Sequence, residues 1–299
     1  MITRRSFFGH AGLGAAATAI VPLMSGTPSL AAEVAQKPTL KELPFKLAIA
    51  GFTFNKFKID ETLAMMKQVD VHYLCIKDFH LKQDCTAEES KAFHEKCASF
   101  GVTGYGVGPI YMSNEEAVNK AFAYAKLVGV KVLVGVPYDT VDQKRVASAS
   151  ILKRVNEKVQ EYDIKYAIHN HGPDMPELFP NAESAMEMIE NLDKRVGLCL
   201  DIGHQFRDGK DPVASILKYH ERLHDVHIKN VTAATKAGRG IELPRGLIDM
   251  PAVVRALCKI NYTGACSLEY EKDMDKPLLG IAESIGYFRG VMDAVCREG

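Results

Sequence analysis

Four strand-like segments in the second half of the chain each carry, near their end, a side chain that can bind a metal. The segments cover residues 166–172, 197–204, 225–230 and 266–271. Their potential ligands are His169, Asp201, His227 and Glu269. Two imidazoles and two carboxylates that converge on one point suit a divalent transition metal. The spacing therefore predicts a metalloenzyme site, provided that the fold brings the four segments together.

Each of these side chains also has an ordinary structural interpretation when it is taken alone. A buried histidine usually needs only a hydrogen-bond partner, and an acidic residue at a strand end is commonly a turn or cap residue. Four such residues at matching places in consecutive units are much harder to explain in this way. The metal interpretation is therefore favoured for the set as a whole.

The elements that must position this set follow from a regular alternation of strand and helix patterns. The predicted strands lie near residues 46–54, 71–77, 102–108, 131–136, 164–170, 195–201, 222–229 and 264–270. The predicted helices lie near residues 60–69, 86–100, 114–128, 142–161, 181–191, 211–220, 250–259 and 280–296. Eight such repeats over about 250 residues are typical of one α/β domain, a (β/α)8 TIM barrel. An open doubly wound sheet is the rival, but no glycine-rich phosphate loop opens an early helix.

A closed barrel would collect further polar residues at the same mouth, because its active sites lie at the C-terminal ends of the strands. Residues two apart on a strand share a face, which places His171 beside His169 and Lys229 beside His227. His204 follows Asp201 by three residues, and Lys77 ends the second predicted strand. We expect these residues to contact the substrate or to transfer protons. Solvated surface charge is the alternative for Lys77.

Composition excludes several classes of protein. The chain has 37 basic and 37 acidic residues, and its hydrophobic content of 47% is enough for a sizeable core. The balanced charge gives no indication of nucleic-acid binding. Seven cysteines, an odd number without CxxC spacing, predict neither a zinc cluster nor a dense disulfide framework.

The first 32 residues have the pattern of a twin-arginine export signal. Arg4 and Arg5 precede an apolar stretch rich in alanine and glycine, and small residues suited to cleavage end at Ala32. We therefore predict a periplasmic protein with a lead-in at residues 33–44 and a barrel domain at residues 45–299. The alternative is an uncleaved membrane anchor, although the apolar run is short for a span of about 20 residues. The signal holds two arginines and no acid, so the mature chain has 35 basic against 37 acidic residues.

The motifs at the strand ends together resemble those of the xylose isomerase-like family of sugar isomerases and epimerases. The matching pieces are Asn170-His171-Gly172, Asp201-Ile202-Gly203-His204, His227-Ile228-Lys229, the glycine-rich stretch 238–240 and Leu268-Glu269. The resemblance covers nearly the whole mature chain. In the epimerase branch it implies a metal held by Glu, Asp, His and Glu from strands five to eight. It also implies that His204 contacts substrate oxygens.

The chain departs from that pattern at strand five, where His169 replaces the family's glutamate. The resemblance implies that the two glutamates exchange a proton across both faces of the substrate, so this chain lacks one of the two opposed bases. Glu269 can still remove a proton next to a carbonyl while a metal stabilises the charge on the oxygen. β-Elimination needs one base and an acid at the leaving group, and Lys229, His171 or His204 could supply that acid. The expected function is a lyase acting on an oxidised sugar or 3-keto-glycoside.

The extra imidazole also bears on the cofactor. It shifts the preference toward cobalt, zinc, iron or manganese over magnesium. Arg245, in the loop after the seventh predicted strand, is a further candidate for binding substrate through a carboxylate or phosphate. An ordinary solvated charge is its alternative.

Two other functions stay open for this sequence. One is a metal-dependent isomerase or epimerase of a free sugar, and the other is a non-catalytic carbohydrate-binding protein. The endonuclease branch of the family is disfavoured, because the mature chain is slightly acidic and lacks further ligands for a multi-zinc site. The expected partner is a small sugar or glycoside, without nucleic acid and with a membrane only if the signal stays uncleaved. A homo-oligomer is possible.

Overall fold

The computed structural model describes residues 44–298. Its strands are β1 (Lys46–Ala50), β2 (Tyr73–Ile76), β3 (Thr103–Met112), β4 (Val132–Val141), β5 (Lys144–Ala147), β6 (Lys165–His169), β7 (Val196–Asp201), β8 (Leu223–Ile228), β9 (Asn230–Val231), β10 (Gly240–Ile241) and β11 (Ala265–Leu268). Its α-helices are α1 (Ile59–Gln68), α2 (Ala87–Ser99), α3 (Glu115–Val128), α4 (Ala149–Tyr162), α5 (Ala182–Ile189), α6 (Ile202–Arg207), α7 (Pro212–Lys218), α8 (Met250–Lys259) and α9 (Leu278–Glu298).

Eight parallel strands close into a barrel in the order β3-β2-β1-β11-β8-β7-β6-β4. The ring closes because β3 also pairs with β4, where Val107 lies opposite Leu133. The first and last barrel strands are joined by the pairing of β1 with β11. The (β/α)8 barrel predicted from the alternating pattern is therefore confirmed, and the open sheet is excluded.

The core has two parts, as expected for a barrel inside a ring of helices. The larger part lies between strands and helices and includes Leu63, Met66, Phe122 and Val155. Removal of these apolar side chains from water is the main stabilising contribution to the fold. The smaller part lies among the strands and consists of Cys75, Val134, Ala167 and Cys199. Small side chains there fill the narrow interior of an eight-stranded barrel.

One predicted helix was too long. Residues 142–161 were expected to be helical, but α4 begins only at Ala149, and residues 138–147, the end of β4 with β5, form an antiparallel hairpin. Asp142 and Gln143 at its tip both have positive φ angles, of 49° and 64°. Two such residues define the type I′ turn that matches the twist of a two-stranded hairpin. The short helix α6, directly after β7, was not predicted.

The predicted export signal and all but the last residue of the lead-in lie outside the described residues, so both stay predictions. Within residues 44–298, no helix combines the length and apolar character needed to cross a membrane.

A buried arginine ties two barrel strands together at the opposite end from the predicted site. The guanidinium of Arg222 donates four hydrogen bonds of 2.7–3.1 Å. Their acceptors are the main-chain carbonyls of Glu190, Leu192, Asp193 and Val196. Arg222 directly precedes β8, and its acceptors lie before and within β7. The contact therefore fixes the strands that carry Asp201 and His227.

We expect Arg222→Ala to lower the free energy of unfolding by about 2–4 kcal/mol, because it leaves buried carbonyls without donors. Urea denaturation would measure the change. Arg239→Ala is the control, since that side chain is exposed, and it should change stability by less than about 0.5 kcal/mol. Equal stability of the two variants would contradict the structural role of Arg222.

Candidate metal centre and active site

The four strand-end ligands converge at the C-terminal mouth of the barrel. His169 Nε2 lies 3.2 Å from His227 Nδ1, 3.6 Å from Glu269 Oε2 and 3.9 Å from Asp201 Oδ2. His227 Nδ1 lies 3.4 Å from Glu269 Oε2. All four side chains are buried, and one ligand atom from each falls within 4.8 Å of the others. The structure thus brings together the set that the sequence singled out.

These separations fit a divalent ion. Four ligands about 2.1 Å from one ion in a tetrahedron stand about 3.4 Å apart, close to the distances among the four atoms here. Two imidazole nitrogens that face each other at 3.2 Å repel unless one carries a proton or a cation lies beside both. Asp201 Oδ2, His169 Nδ1 and His227 Nε2 accept or donate no hydrogen bond within the described chain, although Asp201 Oδ2 forms an ion pair of 3.1 Å with Lys229 Nζ. A buried polar atom whose hydrogen-bonding capacity is not filled calls for a further partner, which a metal ion would supply at Asp201.

Hydrogen bonds to both the main chain and the carboxylate of Asp201 fix its position. The Asn170 side chain donates to the Asp201 carbonyl at 3.1 Å and accepts the Asp201 amide at 2.8 Å, which ties the end of β6 to the end of β7. Asp201 Oδ1 accepts the main-chain N–H of His204 at 2.7 Å as the N-cap of α6. The cap leaves Oδ2 turned into the site.

Glu269 is positioned by the main chain on either side of it. Its own N–H donates to the Ile228 carbonyl at 3.1 Å. The Thr53 hydroxyl donates to the Leu268 carbonyl at 3.1 Å and accepts the Tyr270 N–H at 3.0 Å. The peptide that carries Glu269 is thereby fixed although β11 ends one residue earlier.

Lys229 Nζ lies among three carboxylates. It is 3.1 Å from Asp201 Oδ2, 3.0 Å from Glu269 Oε2 and 2.9 Å from Glu271 Oε2. Burial alone would lower the pKa of Lys229, but the three acids raise it well above its usual value. Burial likewise opposes ionisation of Glu269, yet Lys229 and His227 hold the pKa of Glu269 well below its usual range. The site therefore carries an ammonium and ionised carboxylates side by side.

Gly203 makes room for this lysine. A Cβ atom on Gly203 would stand 2.7 Å from Lys229 Cγ, closer than two carbon atoms can approach. The glycine of the Asp201-Ile202-Gly203-His204 motif is therefore needed so that the Lys229 stem can pass beneath α6.

Two further imidazoles lie on the other side of the mouth. His171 Nε2 is 2.6 Å from the Tyr111 hydroxyl, and the rings of His171 and His204 stack with centroids 6.5 Å apart. Burial, together with His169 and His204 nearby, lowers the pKa of His171 well below its usual value. Burial lowers the pKa of His204 to about 3, although Asp201 opposes the shift. Both rings are therefore neutral at pH 7 and can exchange hydrogen bonds with a polar substrate.

A cavity of about 150 Å³ opens above the ligands. Its walls include the predicted residues His169, His171, His204, Glu269 and Lys77. They also include Tyr111 and Glu271, which were not predicted as site residues. Lys77 Nζ donates to the Pro109 carbonyl at 2.5 Å and is largely buried. Its ammonium therefore faces the cavity rather than bulk solvent.

Arg245 is the one predicted site residue that lies apart from both the cavity and the ligand cluster. It forms two hydrogen bonds with Glu283, of 2.7 and 2.6 Å. It borders a separate depression near the start of α9. Its proposed contact with substrate stays a prediction.

A larger cavity, of about 430 Å³, lies at the N-terminal end of the barrel. It is bordered by residues at the starts of strands, among them Lys46, Lys165 and Leu223. It contains none of the convergent ligands, so the smaller cavity is the candidate active site.

A second polar layer, which sequence reasoning missed, lies beneath the four ligands. Asp225 accepts the Tyr105 hydroxyl at 3.0 Å, and its Oδ2 lies 3.8 Å from His227 Nε2. Burial raises the pKa of Asp225, while His227 and Tyr105 act against the rise. The sequence feature that could have predicted Asp225 is its position two residues before His227 on one strand, which places both side chains on the same face. Asp225 is thus a carboxylate close to His227 Nε2, and we infer that it orients the ring by charge attraction rather than by a hydrogen bond in this structure.

The fold and the site define a class of proteins: (β/α)8 barrels with imidazoles and carboxylates converging at the C-terminal mouth. The model of the family described as xylose isomerase-like TIM barrel matches residues 57–291. The chain belongs to this family.

Named relatives and solved structures of this kind include enzymes. The chain is 28% identical over 132 residues to the rhizopine catabolism protein MocC of Rhizobium meliloti, a match that covers 39% of this chain and 40% of MocC. It is 23% identical over 217 residues to the inosose dehydratase of Lacticaseibacillus casei, covering 61% of this chain and 72% of that enzyme. A solved structure of L-ribulose 3-epimerase superposes with a TM-score of 0.65 at 14% identity, covering 85% and 96% of the two chains. A sugar lyase or an isomerase or epimerase fits these relatives.

We expect Asp225→Asn to weaken metal binding by about 10- to 100-fold, the usual cost of losing a partner that orients a metal-bound imidazole. The substitution keeps the side-chain volume, so thermal unfolding should change little. Calorimetric titration with Co²⁺ would measure the affinity without any need for turnover. Asp193→Asn is the control, because that carboxylate pairs with Arg195 in the loop before β7. An Asp225→Asn variant with wild-type affinity would contradict the orienting role.

Proposed function

We propose that the protein is a divalent-metal-dependent lyase that acts on an oxidised sugar, most specifically on a 3-keto-glycoside. The observation that carries the proposal is the distribution of charge across the cavity. Its two carboxylates, Glu269 and Glu271, both follow β11, whereas the β6 side presents the imidazoles of His169 and His171. A single base on one side is enough for β-elimination and does not suffice for exchange of a proton between two faces.

The metal set supports a softer ion such as cobalt, zinc, iron or manganese, because two of its four ligands are imidazoles. His169, Asp201, His227 and Glu269 would hold the ion. When bound, it would polarise the carbonyl oxygen of the substrate and stabilise the negative charge that develops there.

The residues of the chain then have distinct roles in the elimination. The Glu269 carboxylate takes the proton from the carbon next to the carbonyl. The electron pair of that C–H bond forms the carbon–carbon double bond, and the bond to the leaving group breaks. The Lys229 ammonium gives a proton to the departing oxygen, and its 3.0 Å contact with Glu269 offers a route for the proton to return after release. His204, His171 and Lys77 would hold substrate oxygens.

An epimerase or isomerase is the second candidate. The likeness of the fold to L-ribulose 3-epimerase favours it, as does the family to which the chain belongs. In that reaction the side of the cavity opposite Glu269 would have to deliver a proton, and the Tyr111–His171 pair is the group available there. Bond cleavage distinguishes the two reactions.

We also propose that the mature protein acts in the periplasm after twin-arginine export, on the strength of Arg4, Arg5 and the apolar stretch that follows. Replacing both arginines by lysine should keep the full-length chain in the cytoplasm. Cell fractionation with mass spectrometry of the N-terminus would measure this. Cytoplasmic wild-type protein with an intact N-terminus would contradict the proposal.

We expect Glu269→Gln to abolish turnover, a loss of at least about 10³-fold, because it removes the base and one charge of the metal set. Proton NMR in deuterated water with metal-loaded protein and a panel of 3-keto-glucosides and free sugars would measure it. Glu271→Gln is the matched control. Glu271 contacts Lys229 from the same segment as Glu269 but lies outside the convergent ligand set. The Glu271→Gln variant should therefore retain measurable activity.

The same spectra decide between the two functions. Loss of the proton next to the carbonyl together with release of the aglycone supports the lyase. Deuterium uptake without cleavage supports the epimerase or isomerase. If Glu269→Gln turns over within a few-fold of the wild-type rate, Glu269 is not the base.

A further inference from the structure

Exposed apolar side chains concentrate at the end of the barrel that holds the site. Seven large hydrophobic residues are exposed within the described chain, and six of them lie at the strand ends or in the segments that follow them. These six are Phe79, Tyr111, Val141, Met175, Leu247 and Leu279. Exposed apolar residues that share one end of a fold favour a surface there that contacts a ligand or partner.

Part of this rim is an aromatic platform, which we define as Tyr111, Tyr138 and Arg145. The rings of Tyr111 and Tyr138 meet edge to face with centroids 6.2 Å apart. Arg145 Cζ lies 4.7 Å from the Tyr111 centroid and 5.1 Å from the Tyr138 centroid. The β4–β5 hairpin supplies Tyr138 and Arg145, so the unpredicted hairpin builds the platform.

The platform is continuous with the catalytic cavity. Tyr111 lines that cavity and holds His171 through its hydroxyl, while its side chain is 37% exposed. The cavity volume of about 150 Å³ is well below the roughly 300–1,000 Å³ of sites for drug-sized ligands. That space suits one sugar ring rather than a whole glycoside. A group attached to the sugar must therefore extend over the rim.

Arg145 gives the platform its chemical preference. Its side chain forms no hydrogen bond and no ion pair to any residue in the part of the chain that the structure describes. By contrast, Arg195, Arg207 and Arg245 each pair with a carboxylate. A planar guanidinium beside two tyrosine rings offers a stacking surface, and its N–H donors remain available to an oxygen acceptor. A planar aromatic ring that carries oxygen matches both features.

We propose that the platform of Tyr111, Tyr138 and Arg145 is a subsite for the phenolic leaving group of a glycoside whose sugar ring occupies the cavity. The inference rests on the proposed function in taking a glycoside as the substrate. The subsite would favour aryl over alkyl glycosides through stacking and through hydrogen bonds from Arg145. It would not take part in the proton transfers.

The test uses ligands that are not turned over. Neither 4-nitrophenyl β-glucoside nor methyl β-glucoside has the carbonyl group that elimination requires. Saturation-transfer NMR and competition titrations with the metal-loaded protein would measure both affinities. We expect the wild type to bind the aryl glucoside more tightly than the methyl glucoside and to transfer saturation to its aromatic protons. Arg145→Ala should reduce the preference by about three- to tenfold, in line with cation–π and stacking contacts.

Lys218→Ala is the matched control. Lys218 Nζ lies 4.7 Å from the Tyr219 ring centroid, at the opposite end of the barrel. The substitution therefore removes the same kind of cation–π contact away from the site, and the preference for the aryl glucoside should persist. A wild type without aryl preference, or an Arg145→Ala variant that keeps it, overturns the proposal. Because binding is read without turnover, failure of this test is separate from failure of the lyase reaction, which the deuterium experiment reports.

Discussion

An excess of buried negative charge is the constraint on which the site depends. Asp201, Glu269 and Glu271 all lie within 3.1 Å of one ammonium, that of Lys229. Asp201, Glu269 and Lys229 are buried, whereas the Glu271 side chain is 31% exposed. The two buried carboxylates therefore outnumber the one buried ammonium, and burial keeps the imidazoles of His171 and His204 neutral. Buried charge is strongly unfavourable unless it is compensated, and a divalent cation among the four ligands would compensate it.

The barrel gives this charge its position. Strand pairing places Asp201 directly opposite His227 and Leu268, the residue before Glu269, opposite Ile228. Neighbouring parallel strands therefore present their ligands at one height above the interior. The Asn170 and Thr53 side chains, together with the N-cap of α6, fix the peptides at the ends of β7 and β11. Asp201 and Glu269, two of the proposed metal ligands, are thus held by hydrogen bonds to the main chain beside them rather than by flexible loops.

Much of this arrangement could be predicted from the sequence. The alternation of strand and helix patterns predicts the barrel, and the barrel fold places His169, Asp201, His227 and Glu269 at one mouth. The hairpin could not be predicted in the same way, because its Asp142-Gln143 tip lacks the Asn-Gly or Asp-Gly pair that marks a type I′ turn. Tyr111 was missed for a related reason. Gly108-Pro109 reads as the end of a strand, yet β3 continues to Met112. Asp225 was missed because a single acidic residue beside a strand-like run cannot be told by sequence from an ordinary turn or cap residue.

One divalent ion is proposed to bind among the four strand-end ligands. The most direct measurement is an anomalous difference map from crystals of the mature protein grown with Co²⁺. The account predicts one strong peak about 2.0–2.2 Å from His169 Nε2, Asp201 Oδ2, His227 Nδ1 and Glu269 Oε2. A map without a peak there, or with a peak at the deeper group of Cys75, Asp225 and His227 instead, would contradict it.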